Sequence, residues 1–372
     1  MTLAFPQTPV WRDDEYMAAA LTLGRRELGA TAPNPSVGAL VVRDGAIVGG
    51  GFTRPGGRPH AETEALAQAG PHARGATLYV TLEPCSHRGH TPPCAAAIID
   101  AGVSRVVCAM EDPDPRVAGR GIAMLRAAGV EVVCGVLADA ARRAHRGHIL
   151  RVTQGRPMVT LKLAETADGY AAGDAHDARL MITGEAADNL VKVARAQSDA
   201  VMVGIGTALA DDPLMTVRLP GLADRRPLRV VLDTHLRLSP RSRLAATAHD
   251  CPTLLIAAEG MDGAALEACG VAIARAPRGV DGRLDLAAAL ALLAARGVTR
   301  VFSEGGPSVA ARLIALDLID EAIMIKSPKP FGRRGVAALS AEARARLSDA
   351  RAFTLTPAMA GPDVVAHYER IV

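Results

Sequence analysis

The chain has 372 residues and a net charge of +3, which is enough length for two domains that each bury a core. Its composition, 49% hydrophobic and 22% charged, excludes a disordered or fibrous protein. No apolar run approaches the ~20 residues of a membrane helix, and the first residues lack the pattern of an export signal, so a cytoplasmic protein is expected. Aromatic residues make up 3% of the chain and are not interleaved with basic clusters, so small-molecule ligands are favoured over nucleic acid.

The first half alternates short β-branched runs, such as VGALVV and ATLYVTL, with helix-like segments such as AETEALAQAG. This alternation predicts a layered α/β domain. The basic segment RRAHRGHILRVTQGRP ends in Gly-Arg-Pro, and the domain boundary is predicted within it. The predicted domains are therefore residues 1–148 and 149–372.

The second half begins a new α/β series with MVTLKLAET and continues through runs such as DAVMVGIGT, LRVVLDT and RVFSEGG. Around five to seven strands are predicted, with Ala/Leu-rich helices between them. No internal repeat relates the two halves. They are predicted to be different modules.

Three residues of the first half have the side chains of a catalytic zinc site. His60 starts a helical run, Cys85 follows a strand-like run, and Cys94 starts another helix candidate. Three protein ligands leave a fourth position open, which is typical of catalytic zinc. Glu62 can serve the same site only if His60 lies at the start of its helix, because positions i and i+2 of a regular helix point about 200° apart. Glu62 would then carry a proton from a zinc-polarised water to a leaving amine.

This H-x-E…P-C…C pattern is typical of zinc deaminases, although the two cysteines stand nine positions apart here and three apart in the short form. A structural zinc site, or no metal site, is the alternative. His87 and His90 lie between the cysteines and are candidates for a fourth ligand, or for a loop over the substrate. Asn34, in a Pro-bounded turn, is either a turn residue or an amide presented to a ring edge.

The second half contains no G-x-G-x-x-G sequence, so a classical dinucleotide fold is disfavoured. The turn from Gly305 to Ser308 follows a strand and precedes a helix candidate, and its N–H groups suit a phosphate, although such turns are as often purely structural. Arg195, Arg218 and Lys162 suit a phosphomonoester, whereas composition alone favours surface charges for the two arginines.

Longer segments around these motifs resemble those of a known protein family. HAETEAL, YVTLEPCSHRGHTPPCAAAIIDAG and EDPDPRVAGRGI resemble the deaminase half of the bifunctional riboflavin-biosynthesis deaminase/reductase family. LKLAETADGY, ARAQSDAVMVGIGTALADDPLMTVR and SEGGPS resemble its reductase half. The resemblance implies a cytidine-deaminase-like three-layer α/β/α domain with zinc, followed by a dihydrofolate-reductase-like α/β domain that uses NADPH.

The resemblance also implies roles for individual residues. Zinc would be held by His60, Cys85 and Cys94, with Glu62 as the catalytic proton carrier and Asn34 near the pyrimidine. The residues implied to contact NADPH are Ala164, Met181, Thr207, Asp211, Thr234, Gly306, Pro307, Ser308, Val309, Ala310, Ala311 and Arg312. The residues implied to hold the ribose-phosphate substrate are Arg195, Met215, Arg218 and Glu304. Lys162 and Arg179 are added as substrate candidates for their positive charge and not from the resemblance.

Two of these positions depart from the family pattern S-x-W-I-T, which is replaced here by Arg179-Leu180-Met181-Ile182-Thr183. Met181 replaces an aromatic contact to the cofactor. Arg179 replaces a serine, and the hypothesis is that its charge pairs with the substrate phosphate. Both departures bear on reductase efficiency and not on deaminase activity.

The implied function is hydrolysis of the 2-amino group of 2,5-diamino-6-ribosylamino-4(3H)-pyrimidinone 5′-phosphate, followed by NADPH-dependent reduction of the ribosyl group to ribityl. One rival is a zinc deaminase of other nucleotides or of tRNA, with a reductase-like domain that has lost catalysis. The other is a non-catalytic binding protein with structural zinc. A homo-oligomer, either a dimer or a tetramer, is expected, with no nucleic-acid or membrane partner.

Overall fold

The computed structural model of the chain describes residues 12–87, 92–174, 177 and 180–371. It forms two compact units, Met1–Gln154 and Gly155–Val372. Both units are mixed α/β, as predicted. The predicted division at 148/149 falls inside the helix Arg146–Gln154, the last helix of the first unit. In the part of the chain that the structure describes, no helix is long and apolar enough to span a membrane.

The first unit is built on a five-stranded sheet with the order β2-β1-β3-β4-β5. Its strands are β1 (Gly38–Arg43), β2 (Ala46–Phe52), β3 (Thr77–Val80), β4 (Arg105–Cys108) and β5 (Glu131–Cys134). β1 pairs antiparallel with β2 and β3, and β3, β4 and β5 are parallel. The helices are α1 (Asp13–Gly24), α2 (Ala61–Ala69), α3 (Cys94–Asp100), α4 (Arg120–Ala127), α5 (Ala138–Ala144) and α6 (Arg146–Gln154). α2 contacts α3 and α3 contacts α4, while α1 contacts α5, so the helices form two groups around the sheet.

Glycines in β2 allow α2 to approach the sheet closely. A Cβ on Gly51 would lie 2.2 Å from the carbonyl oxygen of Ala61, and one on Gly49 would lie 2.2 Å from that of Ala65. The sequence did not predict β2 as a strand, because glycine is depleted in strands and gives no apolar alternation. The start of α2, where His60 and Glu62 lie, is thereby packed directly on β2.

The second unit is built on a nine-stranded sheet with the order β11-β10-β9-β8-β12-β6-β13-β16-β15, and a small β14-β7 pair. Its strands are β6 (Met158–Glu165), β7 (Tyr170–Ala172), β8 (Ala200–Gly204), β9 (Leu228–Leu232), β10 (Thr253–Ala257), β11 (Ala272–Arg275), β12 (Arg300–Ser303), β13 (Glu321–Lys326), β14 (Val336–Ala337), β15 (Phe353–Ala360) and β16 (Asp363–Arg370). Its helices are α7 (Glu185–Ala196), α8 (Ile205–Asp211), α9 (Arg243–Ala246), α10 (Ala264–Glu267), α11 (Leu286–Ala295), α12 (Pro307–Ala315) and α13 (Ala341–Leu347).

The prediction of five to seven strands in this half was wrong, because the main sheet alone has nine. The strands that were missed include the edge strand β11 and the hairpin β15–β16. β15 is exposed over most of its length and carries no continuous apolar run, so its sequence gives little strand signal. The strands that were predicted are the buried central ones. They run parallel from β11 to β13, so their carboxyl ends meet at one edge of the sheet.

Candidate functional site

Three predicted zinc ligands converge in the first unit. The ligand atoms of His60, Cys85 and Cys94 all lie within 4.8 Å of one another. The Nδ1 atom of His60 is 3.3 Å from the Cys94 sulfur and 3.8 Å from the Cys85 sulfur. Ligands at ordinary Zn–S and Zn–N distances in a tetrahedron lie about 3.5–3.8 Å apart. The three side chains therefore lie close enough together to hold one zinc ion.

Each ligand is placed by the end of an element. His60 precedes α2 and has an extended backbone, with φ −74° and ψ 157°. The helical repeat therefore does not fix the direction of its side chain relative to that of Glu62. The condition for His60 and Glu62 to share a site is thus met. Cys94 is the first residue of α3, and its backbone N–H donates to the Cys85 sulfur at 3.3 Å.

The hydrogen bond between the two thiols shifts their pKa values in opposite directions. Hydrogen bonds from the Cys94 thiol, from His60 and from the Cys94 backbone lower the pKa of Cys85 to about 4, against the opposing effect of burial. The hydrogen bond to Cys85 and burial raise the pKa of Cys94. A divalent ion bound by the two sulfurs would stabilise both of them as thiolates.

Glu62 lies in the first turn of α2 and is 4% exposed. Burial raises its pKa, and the charge of His60 opposes that shift. Its carboxyl group also hydrogen-bonds with Cys94, which brings it to the edge of the ligand cluster. A buried carboxyl beside the open position of a metal site is suited to accept and return a proton.

Asn34 is held close to the turn that carries His60. Its side-chain Nδ2 donates to the carbonyl of Gly57 at 2.8 Å, and its backbone N–H donates to Thr31 at 3.0 Å. Gly57 has φ +83°, and a Cβ there would lie 2.5 Å from the Asn34 amide nitrogen. Position 57 therefore requires glycine, both because φ is positive there and because a side chain would collide with Asn34. The Pro-Gly-Gly sequence of this turn could have indicated the contact with Asn34, but the sequence motifs considered above gave it no role.

Two histidines were candidates for a fourth zinc ligand, and the structure describes one of them. His87 is exposed and does not join the metal-binding cluster found among the described residues. His90 lies outside the described residues. Among residues 12–87 and 92–174, the cluster therefore supplies three ligands.

In the second unit, the turn before α12 meets the start of α8. The backbone N–H of Gly306 donates to the Thr207 hydroxyl at 3.2 Å. A Cβ on Gly305 would lie 2.7 Å from Cβ of Val309, so only glycine lets the turn pack against its own helix. Thr207, Gly306, Pro307 and Val309, which the resemblance assigned to the cofactor, are thus neighbours at the carboxyl edge of the sheet.

The other implied cofactor residues are more scattered. Ala164 lies on β6, Asp211 ends α8, Thr234 follows β9 and Met181 is 68% exposed. The Ser308 hydroxyl accepts a hydrogen bond from Arg283 at 3.0 Å. Along α12, Ala310 is fully buried, Ala311 is half-buried, and Arg312 binds Asp281 at 3.2 Å and the carbonyl of Leu284 at 2.7 Å. The contacts of Ala310 and Arg312 are packing contacts within the unit, and a role at a cofactor stays a prediction.

Among the implied substrate residues, Arg195 and Glu304 form a bidentate pair. Both Nε and Nη2 of Arg195 donate to the Glu304 carboxylate, the second at 2.7 Å. Burial alone would lower the pKa of Arg195, but Glu304 outweighs it and the net shift is upward. Lys162 is half-buried on β6 and Arg218 is exposed. Arg179 lies outside the described residues.

Met215 occupies a backbone position fixed by two arginines. It is 3% exposed and has φ +53°, a conformation that is costly for a residue with a side chain. Arg195 donates to the carbonyl of Thr216 at 3.2 Å, and Arg229 donates to that of Leu214 at 3.2 Å. Sequence reasoning missed Arg229, which is 1% exposed, because an arginine in RPLRVVLD has the pattern of a strand residue.

Each of the two units matches a family of known proteins. Residues 11–110 match the family model for the cytidine and deoxycytidylate deaminase zinc-binding region, and residues 157–360 match that for the RibD C-terminal domain. With the three-ligand cluster and the buried Glu62, these matches define the class: a zinc-binding deaminase domain joined to a reductase domain.

Relatives over the whole length identify the family. The chain is 38% identical to the riboflavin biosynthesis protein RibD of Escherichia coli, over 96% of this chain and 99% of that protein. It superposes on RibD of Acinetobacter baumannii with a TM-score of 0.85 at 34% identity, covering 97% and 99% of the two chains. A Thermotoga maritima structure, a diaminohydroxyphosphoribosylaminopyrimidine deaminase/5-amino-6-(5-phosphoribosylamino)uracil reductase, gives 0.82 at 33% identity, covering 96% and 99%. The chain belongs to the RibD family of bifunctional deaminase/reductases, and the predicted resemblance and two-domain α/β fold are confirmed.

Proposed function

We propose that this chain hydrolyses the 2-amino group of 2,5-diamino-6-ribosylamino-4(3H)-pyrimidinone 5′-phosphate, with release of ammonia, and then reduces the ribosyl group to ribityl with NADPH. The observation that carries the proposal is the cluster of His60, Cys85 and Cys94, with Glu62 buried at its edge. The activities in the name of the T. maritima relative support the choice of substrate.

In the deaminase half, His60, Cys85 and Cys94 would hold the ion, and one position would remain for water. A zinc ion in such a site supplies a water of lowered pKa. The Glu62 carboxyl group takes a proton from that position and delivers it to the departing amine, and its burial keeps bulk water from competing for the proton. Asn34, oriented by its hydrogen bond to Gly57, presents its amide to the edge of the ring.

In the reductase half, the cofactor supplies the hydride, so the chain has to position the reactants and balance their charge. The start of α12, where the Gly306 N–H donates to the Thr207 hydroxyl, carries the positive end of a helix and would take up cofactor phosphate. The buried pair of Arg195 and Glu304 shapes the sugar site, and Met215 packs against the substrate. Lys162, Arg179 and Arg218 supply positive charge for the substrate phosphate.

The proposal is tested by incubating the purified chain with the diaminopyrimidine phosphate, with and without NADPH, and following ammonia and ribityl product separately. Ammonia release is expected in both samples, and ribityl product only with NADPH. Glu62→Gln is expected to lower ammonia release by 10²-fold or more, because it removes the proton carrier. The same variant is expected to consume NADPH normally when it is given the deaminated intermediate.

The rival functions give different outcomes. A chain that releases ammonia but never consumes NADPH with the deaminated intermediate would have a non-catalytic reductase domain. Ammonia release that is unaffected by Glu62→Gln would leave the cluster a structural site. Parallel assays with NADH determine whether NADPH is the preferred donor.

A further inference from the structure

Glu83 is a buried carboxylate that the proposed chemistry does not use. It lies two residues before Cys85 and is 4% exposed. Its own backbone N–H donates to the carbonyl of Met110 at 3.0 Å. Its two carboxylate oxygens accept four backbone N–H groups, from Gly121 at 2.9 Å, Ile122 at 3.2 Å, Gly119 at 2.9 Å and Asp112 at 3.2 Å.

Three of these donors belong to the start of α4. The residue before that helix is Gly119, which has φ +74° and no side chain to cap the free N–H groups of the first turn. Glu83 supplies the missing acceptor from 36 residues away, and its negative charge is favourable at the positive end of the helix. The segment that leads into Cys85 is therefore bound to α4 through a side chain.

The same segment is also in backbone contact with α4. A Cβ on Gly121 would lie only 1.9 Å from the carbonyl oxygen of Pro84. On its other side, the Cys85 carbonyl accepts the N–H of Ala95 in α3 at 3.2 Å. The turn that carries Cys85 is thus held between the starts of two helices.

The loop that connects β4 with α4 is itself fixed from another direction. One oxygen of the Asp112 carboxylate accepts the N–H of Asp114 at 2.9 Å and lies 3.0 Å from Nε2 of His148, which donates to it. Asp112 and His148 are both buried. These contacts fix the part of the loop that carries the Asp112 N–H, one of the four donors to Glu83.

We propose that Glu83 is a positioning residue that sets the place of Cys85 and thereby controls how tightly this protein retains zinc. This inference rests on the zinc site of the proposed function. Partners that orient metal ligands without touching the metal typically change metal affinity 10–100-fold when they are removed. Glu83 acts on Cys85 through the two peptide bonds between them, because both sides of that segment are fixed.

The test compares zinc release from the full-length, zinc-loaded protein into excess chromogenic chelator. In Glu83→Gln the size is kept, but the amide NH₂ group faces two N–H donors that it cannot accept. Zinc release is expected to be 10–100-fold faster than in the wild type, with the chain still folded by circular dichroism. Glu111→Gln makes the same change at an exposed carboxylate of the same loop, and is expected to release zinc at the wild-type rate.

Two further variants separate positioning from general stability. Gly121→Ala displaces Pro84 by a different contact and is expected to accelerate zinc release as well. Val41→Ala removes a fully buried side chain from β1 of the same unit, and is expected to lower the unfolding midpoint with little effect on the release rate. A Glu83→Gln protein that keeps the wild-type rate, or that matches Val41→Ala, would overturn the inference. A wild-type protein that binds no zinc would instead contradict the proposed function.

Discussion

The six cysteines of this chain occupy different chemical environments, although all are free thiols. Cys85 and Cys94 converge with His60. Cys108 and Cys134 are register partners on the parallel strands β4 and β5, and Cys108 is fully buried while Cys134 is exposed. Both cysteines lie in apolar strand-like runs, VVCAM and VVCGV, yet Cys134 is open to solvent because β5 is an edge strand.

We expect Cys134 to be a reactive thiol in the zinc-loaded protein. A hydrogen bond from Cys108 lowers the pKa of Cys134 to about 7, against the effect of burial, while its contact with Cys134 raises the pKa of Cys108. The rate of Cys134 alkylation by iodoacetamide, measured by peptide mass spectrometry, is therefore expected to rise with a midpoint near pH 7 and to level off above about pH 8. Cys108→Ala removes the donor and is expected to move that midpoint toward about pH 8.5, the range of an ordinary thiol. A wild-type rate that still climbs between pH 8 and 9 would contradict the assignment.

At the scale of elements, strand register brings together charged side chains whose pairing the sequence alone does not show. β13 and β16 are antiparallel, and their register sets Glu321 opposite Glu369, a like-charge pair that is unfavourable by itself. His367 is diagonal to Glu321, and its Nε2 lies 3.9 Å from the carboxylate. Thr160 on β6 donates to the same carboxylate at 3.0 Å, and Arg300 contributes positive charge nearby.

This arrangement predicts a pH-dependent contribution to stability. Burial alone would raise the pKa of Glu321, but His367, Arg300 and Thr160 reverse the shift, so the net pKa is lowered. The hydrogen bond with Glu321 raises the pKa of His367 above its usual value, against the effect of burial. Glu321 therefore contributes stability above about pH 4.5, and that contribution is lost as the pH falls through its folded pKa. His367 contributes below about pH 6.5, and that contribution is lost as the pH rises through its own folded pKa.

The destabilisation caused by His367→Gln is consequently expected to be largest near pH 5.5 and to vanish above about pH 8. Both side chains are partly exposed, so its size is expected to be about 0.5 kcal/mol. Urea denaturation of the wild type and the variant at pH 5.5 and pH 8 measures the free energy of unfolding in each case. An equal difference at the two pH values would show that the effect comes from packing rather than from charge.

At the scale of the whole molecule, each unit has its own hydrophobic core. The hydrophobic core cluster of the first unit extends from Tyr16 to Ala141, and the second unit has two such clusters on the nine-stranded sheet. The proposed zinc site draws all of its ligands from the first unit. The predicted boundary at 148/149 and the predicted dimer or tetramer stay predictions, which limited proteolysis and light scattering address.

Zinc removal is therefore expected to destabilise one unit and to spare the other. A ligand that binds only the folded state stabilises it by several kcal/mol when it is present far above its Kd. In differential scanning calorimetry with a chelator, the transition of the first unit is expected to move to lower temperature, with that of the second unchanged. Hydrogen exchange assigns the transitions to the units. A chelator-induced shift of both transitions by the same amount would show that the units unfold together.

The sequence by itself determined the chemistry of the first unit, because histidine, cysteine and glutamate at these spacings have few other uses, and it predicted the buried parallel strands, because their apolar runs are continuous. The tertiary structure decided what holds those residues in place. Gly51 on β2, the four N–H groups around Glu83, and the contacts of Arg229 all join different elements of the chain. The identity of a residue does not reveal these contacts. Each of them forms only when folding brings the backbone of another element within hydrogen-bond distance or van der Waals contact.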